Sequence, residues 1–155
     1  MINNSFFKPG YTPPSAFYFN VKFTGFGSDK MESSFQEVSG LKVTLGTEPK
    51  KEGGDNRYML HLPTPPKFEN LVLKRCLLYN SKLEKWCRDA LEDFKFDPKD
   101  IQVALLGANG GTLASWTVVK AYPIAWELST LNSTSNQLAI ETLTLKYRLF
   151  KKDKK

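Results

Sequence analysis

One histidine, two cysteines and two glycine pairs are the residues of this 155-residue chain whose types first suggest chemistry. A serine or cysteine nucleophile needs a base beside it, and His61 is the only imidazole available. It sits in RYMLHLP, where Tyr58, Leu60 and Leu62 alternate as one face of a strand, so His61 falls on the opposite face and reads as a surface or interface histidine. A structural zinc site takes four Cys, His or carboxylate ligands, usually in closely spaced pairs, and the isolated Cys76 and Cys87 with one histidine cannot supply them. Gly53-Gly54 and Gly110-Gly111 lack the Gly-Lys-Ser/Thr ending of a phosphate cradle and read as turns. Glu92 and Asp93 are adjacent on a helix and so do not converge on one point. Lys146 and Arg148 share one face of a strand while Tyr147 lies on the other, which is a core strand with a wet outside rather than a stacking platform for bases. No catalytic residue, metal site or cofactor is expected, and no specific nucleic-acid recognition.

The elements that carry these residues read as mainly β. Hydrophobic content of 41% over this length is enough for one compact core. No apolar run approaches the roughly 20 residues that cross a bilayer, and the N-terminus lacks the regions of a secretory signal, so no direct membrane binding and assembly in the cytoplasm are expected. Cys76 and Cys87 fit a reducing compartment as small buried hydrophobes, and a disulfide between them is not expected. The net charge of +6 owes half its surplus to KKDKK at 151–155, which reads as a basic disordered tail. Residues 1–16, with Pro9, Pro13 and Pro14 beside Phe6, Phe7 and Tyr11, read as an extended Pro-rich arm. A single domain is expected between them, over 17–150.

Within that domain Phe17, Phe19, Val21 and Phe23 alternate as a half-buried strand. Ser34 to Leu45 reads as extended with a break at Gly40, and the run at Tyr58, Leu60 and Leu62 is expected to stop at Pro63, Pro65 and Pro66. Ser81 followed by Glu84 is a capping box, after which Leu83, Trp86, Cys87, Ala90, Leu91 and Phe94 form one apolar stripe. This predicts a helix over about 82–94 with those six residues in the core; Trp86 and Phe94 at such spacing are core rather than a ligand-site lining. Asn109-Gly110 suits a tight hairpin. The last strand, Gln137 to Phe150, changes parity between Ile140 and Leu143, which predicts a bulge near Glu141.

The stretch from Phe35 to Arg75 joins FQEVSGL, EGGDN, RYMLHLP and NLVLKR, two strand-like runs around a polar loop. With the closing SWTVVKAYPIAWELSTLNSTSNQLAIETLTLKYRLF it resembles the inner tail-tube family of contractile phage tails and phage-like extracellular injection systems, over roughly Phe17 to Phe150. The resemblance implies a β-barrel or sandwich-like tail-tube fold with one flanking helix. It implies a structural subunit without enzymatic activity, forming homohexameric rings that stack into the channel of a phage tail or tail-like particle. Spike hub, baseplate and sheath proteins are the implied partners. LGTE, EGGDNR, NLVLKR and LKYRLF are closer to the baseplate-proximal version that starts the tube, with the repeated shaft subunit as the alternative. Cys76 after the Lys-Arg pair, where the family has glycine, and the long leader depart from the pattern.

Assembly also has support from the residues themselves. One helix cannot cover every face and edge of so many strands, so some edges need partners. The polar segment from Lys42 to Arg57 exceeds a tight turn and carries both signs of charge. Glu48, Lys50, Lys51, Glu52, Gly53, Gly54, Asp55 and Asn56 are the expected ring or stacking contacts. The alternative of another class is a monomeric protein-binding module that grips its target with this loop and the aromatic arm.

Overall fold

The computed structural model describes residues 14–16, 18–27, 34–51, 53–54 and 59–154. Most of the expected N-terminal arm lies outside them, as does Phe17. The strands are β1 (Phe19–Phe23), β2 (Glu37–Ser39), β3 (Val43–Lys51), β4 (Met59–Phe68) and β5 (Leu71–Cys76), followed by helix α1 (Lys82–Leu91). Then come β6 (Lys99–Leu106), β7 (Thr112–Leu128), β8 (Ile140–Lys146) and β9 (Leu149–Lys152). Seven strands form one antiparallel sheet in the order β1-β6-β7-β8-β5-β2, with β9 on β7; among the described residues, β3 and β4 pair only with each other.

A single long strand makes this sheet turn over itself. The first half of β7 pairs with β6 and β9, and the second half pairs with β8. At the changeover the register slips between the Lys99–Ala121 and Ile101–Val118 pairs, and Lys120 takes a left-handed φ of 54°. The Asp100 side chain accepts the freed Lys120 amide hydrogen at 2.9 Å. A bulge of this kind bends a strand sharply. The two halves therefore share one core, in which Val21, Phe23, Ile101, Val103 and Val118 meet Leu71, Leu73, Leu143, Leu145 and Tyr147. Alternation explains the partition: every second residue of β5 is buried, and so is every second residue of β8.

Helix α1 closes one side of that core. Ser81 caps it, its hydroxyl oxygen accepting the Glu84 amide hydrogen at 3.0 Å, while the Glu84 carboxylate is engaged by Arg88 one turn on. Leu83, Trp86, Cys87 and Ala90 are buried. Trp86 packs edge-on against Phe23 and Phe26 with centroids 5.8 and 6.0 Å away, and its indole N–H donates to the Asp97 carbonyl at 2.7 Å.

Leu91 and Phe94, expected in the same stripe, are corrected by the structure: they are 42% and 82% exposed. The helix ends at Leu91 instead of running to 94, because Phe94 adopts a left-handed φ of 55° and the Lys95 amide donates back to the Asp89 carbonyl at 2.8 Å. This is the chain reversal that glycine usually makes at a helix C-terminus, and for a residue with a Cβ it costs about 1 to 2 kcal/mol.

Three further expectations are corrected. The bulge lies in β7 at Ile124, not near Glu141: β5 and β8 pair without interruption, whereas β7 slips between Pro123 and Ala125. Parity in β8 is constant because Glu141 itself points inward, and Leu138, expected within the strand, is exposed before it begins. The tail at 151–155 is ordered in part. Lys151 and Lys152 belong to β9, and the Asp153 carboxylate accepts hydrogen bonds from Ser115 and Thr117, both at 2.7 Å. Those hydroxyls hold the Asp153 carboxyl below its usual pKa. Finally, β4 continues through Pro63, Pro65 and Pro66 to Phe68. With β3 as its only partner among the described residues, half of its amides face away from the ladder, where proline's missing N–H costs nothing. The register shift opposite Gly46 sets Thr64 and Pro65 against one residue, so Pro63 and Pro66 take equivalent ladder positions.

Candidate assembly surface

The hairpin of β3 and β4 is the most unusual part of the molecule. Every residue of β3 is exposed, and so is most of β4. Strands of nine and ten residues at roughly 3.3 Å per residue make an arm about 30 Å long. At its root, Gly40 has a φ of +92°, and a Cβ there would lie 1.8 Å from the Asn70 carbonyl oxygen, so only glycine lets the chain pass. Phe68 anchors the returning strand, its ring 6.0 Å from Tyr147 and 5.6 Å from Phe150.

Glu48, Lys50 and Lys51 lie on β3, exposed, and Gly53 and Gly54 form the turn, with Gly54 at φ +108°. Glu52, Asp55 and Asn56 fall outside the described residues. The expected loop over Lys42 to Arg57 is thus largely strand, and its polarity is only half the story. Val43, Leu45, Met59, Leu60 and Leu62 are 41 to 65% exposed along the same arm. The signal was present in the sequence as apolar residues alternating beside prolines, but solvation on both faces of a ribbon has no hydropathy signature. His61 sits opposite Pro49 and is exposed with the rest.

Titratable groups in the interior do structural work. Arg75 and Glu141, both nearly inaccessible, pair through Nε and Oε1. Arg75 Nη2 also donates to Ser81 Oγ at 2.6 Å, and Trp126 Nε1 donates to Glu141 Oε2 at 3.0 Å. The chain Trp126–Glu141–Arg75–Ser81 thereby links β7, β8, β5 and the cap of α1. Beside it the Cys87 thiol is pushed up to about 12, first by burial and then by the Glu141 carboxylate. A thiol held neutral in this way is a poor nucleophile. Cys76 and Cys87 are both free. Two open hollows flank α1: one of about 310 Å³ over Phe26, Trp86 and Phe96, the other of about 230 Å³ beside Leu91 and Trp126. The second is also lined by Cys87, Glu84 and Glu92, but that thiol is buried and held neutral. Among the described residues, no group of three or more His, Cys, Asp or Glu is placed to hold a metal, and no helix is long and apolar enough to cross a membrane.

Residues 15–151 match the family model described as T4-like virus tail tube protein gp19. The chain belongs to this tail tube family. Its family and its structural neighbours are structural tube proteins rather than enzymes. A chain in the six-fold symmetrised cryo-EM structure of the anti-feeding prophage baseplate is 28% identical, with a TM-score of 0.79 over 92% of this chain and 96% of that one. A chain of the extracellular contractile injection system PVC sheath–tube complex, in the extended state, superposes at a TM-score of 0.77, with 23% identity over 91% of each chain. The Hcp1 protein of Flavobacterium johnsoniae superposes more loosely, at 0.52 with 16% identity over 88% of this chain and 94% of its own. A search among curated protein sequences gives no match. The tail tube family thus accounts for a mainly β body with a single helix among the described residues.

Proposed function

We propose that this tail tube protein is the subunit of the inner tube of a contractile injection system or contractile phage tail, that its copies close into hexameric rings, and that the rings stack into a channel. The observation that carries the reading is the β3–β4 arm, a long ribbon with exposed aliphatic side chains and no further strand partner among the described residues. Such a surface is costly in a monomer and useful in an assembly. Among the described residues the end strands β1 and β2 leave further edges open to pairing. Glu48, Lys50, Lys51, Glu52, Gly53, Gly54, Asp55 and Asn56 would then make ring or stacking contacts. Head-to-tail contact between unlike surfaces closes into a ring, and a second interface stacks the rings. The subunit performs no covalent chemistry; it bears force through sheet pairing and interlocked arms.

Within that reading the chain acts as the first ring, joining tube to spike hub and baseplate. The 28% identity to a chain of the anti-feeding prophage baseplate supports this role over that of the repeated shaft subunit. Electron microscopy of the concentrated protein, alone and with its neighbouring tube and spike proteins, tests it. Six-fold rings on the spike hub are expected. Long tubes formed by this protein alone would favour the shaft role, and monomers in every mixture would sink both.

A further inference from the structure

We propose that the aromatic knuckle at the end of α1, Leu91 to Asp97, is the surface on which the β3–β4 arm of a second copy lies. The inference rests on the tube reading and names the receiving surface for its arm. The knuckle begins with an oddity. Phe94 occupies a left-handed conformation that favours glycine, and its ring is 82% exposed, so it repays its strain with almost no burial in its own chain. Folding alone gives no reason for a phenylalanine there.

The surroundings hold that ring in place for contact. Phe94 stands edge-on to Phe96 at 4.9 Å, and Phe96 stands edge-on to Tyr122 at 5.7 Å, a ladder running from the knuckle to β7. The Trp86 indole pins the Asp97 carbonyl, and the Lys95 amide is tied to Asp89. Leu91 adds an exposed aliphatic side chain at the same corner. A rigid, presented aromatic pair is the kind of anchor that loses little entropy on binding.

The occupant follows from what else the chain leaves uncovered. The arm exposes Leu45, Met59, Leu60 and Leu62 and carries Lys50 and Lys51 toward its tip, with Glu48 nearer its root. The knuckle exposes Leu91, Phe94 and Phe96 beside Glu92 and Asp93, with Lys95 4.0 Å from Asp93 and Asp97 held by Lys99. Aliphatic side chains with lysines thus face aromatics with carboxylates, two unlike surfaces of one sequence that complement each other in both apolarity and sign. Among the described residues β3 and β4 pair with no other strand, which leaves the arm to a neighbour.

Phe94→Gly is the first test. It removes the ring and relieves the backbone, so the monomer should melt at the same temperature or higher while ring or tube formation weakens at least tenfold. Lys50→Glu with Lys51→Glu should weaken assembly too, and Glu92→Lys with Asp93→Lys in the same chain should restore it. A Leu60→Cys and Phe94→Cys pair, in a Cys76→Ser background, should give a disulfide-linked ladder between subunits on oxidation of assembled particles and none in monomers. Should the glycine variant lose fold, the charge exchange and the disulfide ladder still decide. A parent that assembles, with a glycine variant that assembles equally well and no ladder, overturns this contact and leaves the tube reading standing. A parent that never self-associates overturns both. A glycine variant that forms normal rings but fails to hold spike hub or sheath protein assigns the knuckle to another partner, and also overturns the proposal.

Discussion

Glu141 shows how much one inward carboxylate can organise. Its two oxygens take the Arg75 guanidinium and the Trp126 indole, and Arg75 in turn holds the cap serine of α1. Removing one partner of a buried pair leaves the other charged and dry, at a cost of about 3 to 5 kcal/mol. Glu141→Ala should therefore lower the urea unfolding free energy by about that amount, and Arg75→Leu with Glu141→Leu should recover much of it; equal losses in the two variants would show that pairing is not what Glu141 contributes. Trp86→Ala should cost about 3 to 5 kcal/mol through lost burial and a residual cavity. An unchanged melting curve would refute the packing described against Phe23 and Phe26. The two residues differed in legibility. Trp86 announced itself by helical spacing after a serine cap, whereas a glutamate within an apolar alternation reads as an outward residue or a slip in register.

Elements were legible where their own side chains decide their fate. β1, β5 and α1 bury one face each, so period and parity revealed them. The arm did not, since its strands are solvated on both faces and interrupted by prolines that a lone ribbon tolerates. The end of α1 was hidden for a related reason: Phe94 sits at helical spacing, and only its left-handed backbone shows that it leaves the stripe. Replacing Lys50 to Asn56 by a short Gly-Ser turn tests the arm as an element. Lys50, Lys51, Gly53 and Gly54 are all exposed, so circular dichroism and melting should remain near normal while rings fail to form or stack. Assembly equal to the parent would make the arm's tip a passive turn, and loss of fold would place it in the core.

At the scale of the whole molecule, a sheet whose end strands have no further partner among the described residues, with an apolar arm, is expected to be sticky in a specific way. Light scattering should report a mass that grows with concentration in multiples of 17.6 kDa. A constant monomer mass, at concentrations where the neighbouring proteins bind, would favour a binding module over a tube subunit. The order of strands carries a different implication, for synthesis. β8 fills the gap between β5 and β7, yet it follows both in the chain, and Glu141 is made 66 residues after the Arg75 that it neutralises. A nascent chain thus emerges before the carboxylate that Arg75 will meet and with one long edge of β5 open, and closure of the core waits for β8. Contacts of such sequence separation fold slowly. The interval before closure is when the edges that later serve assembly are most exposed to premature pairing with another chain on the same messenger.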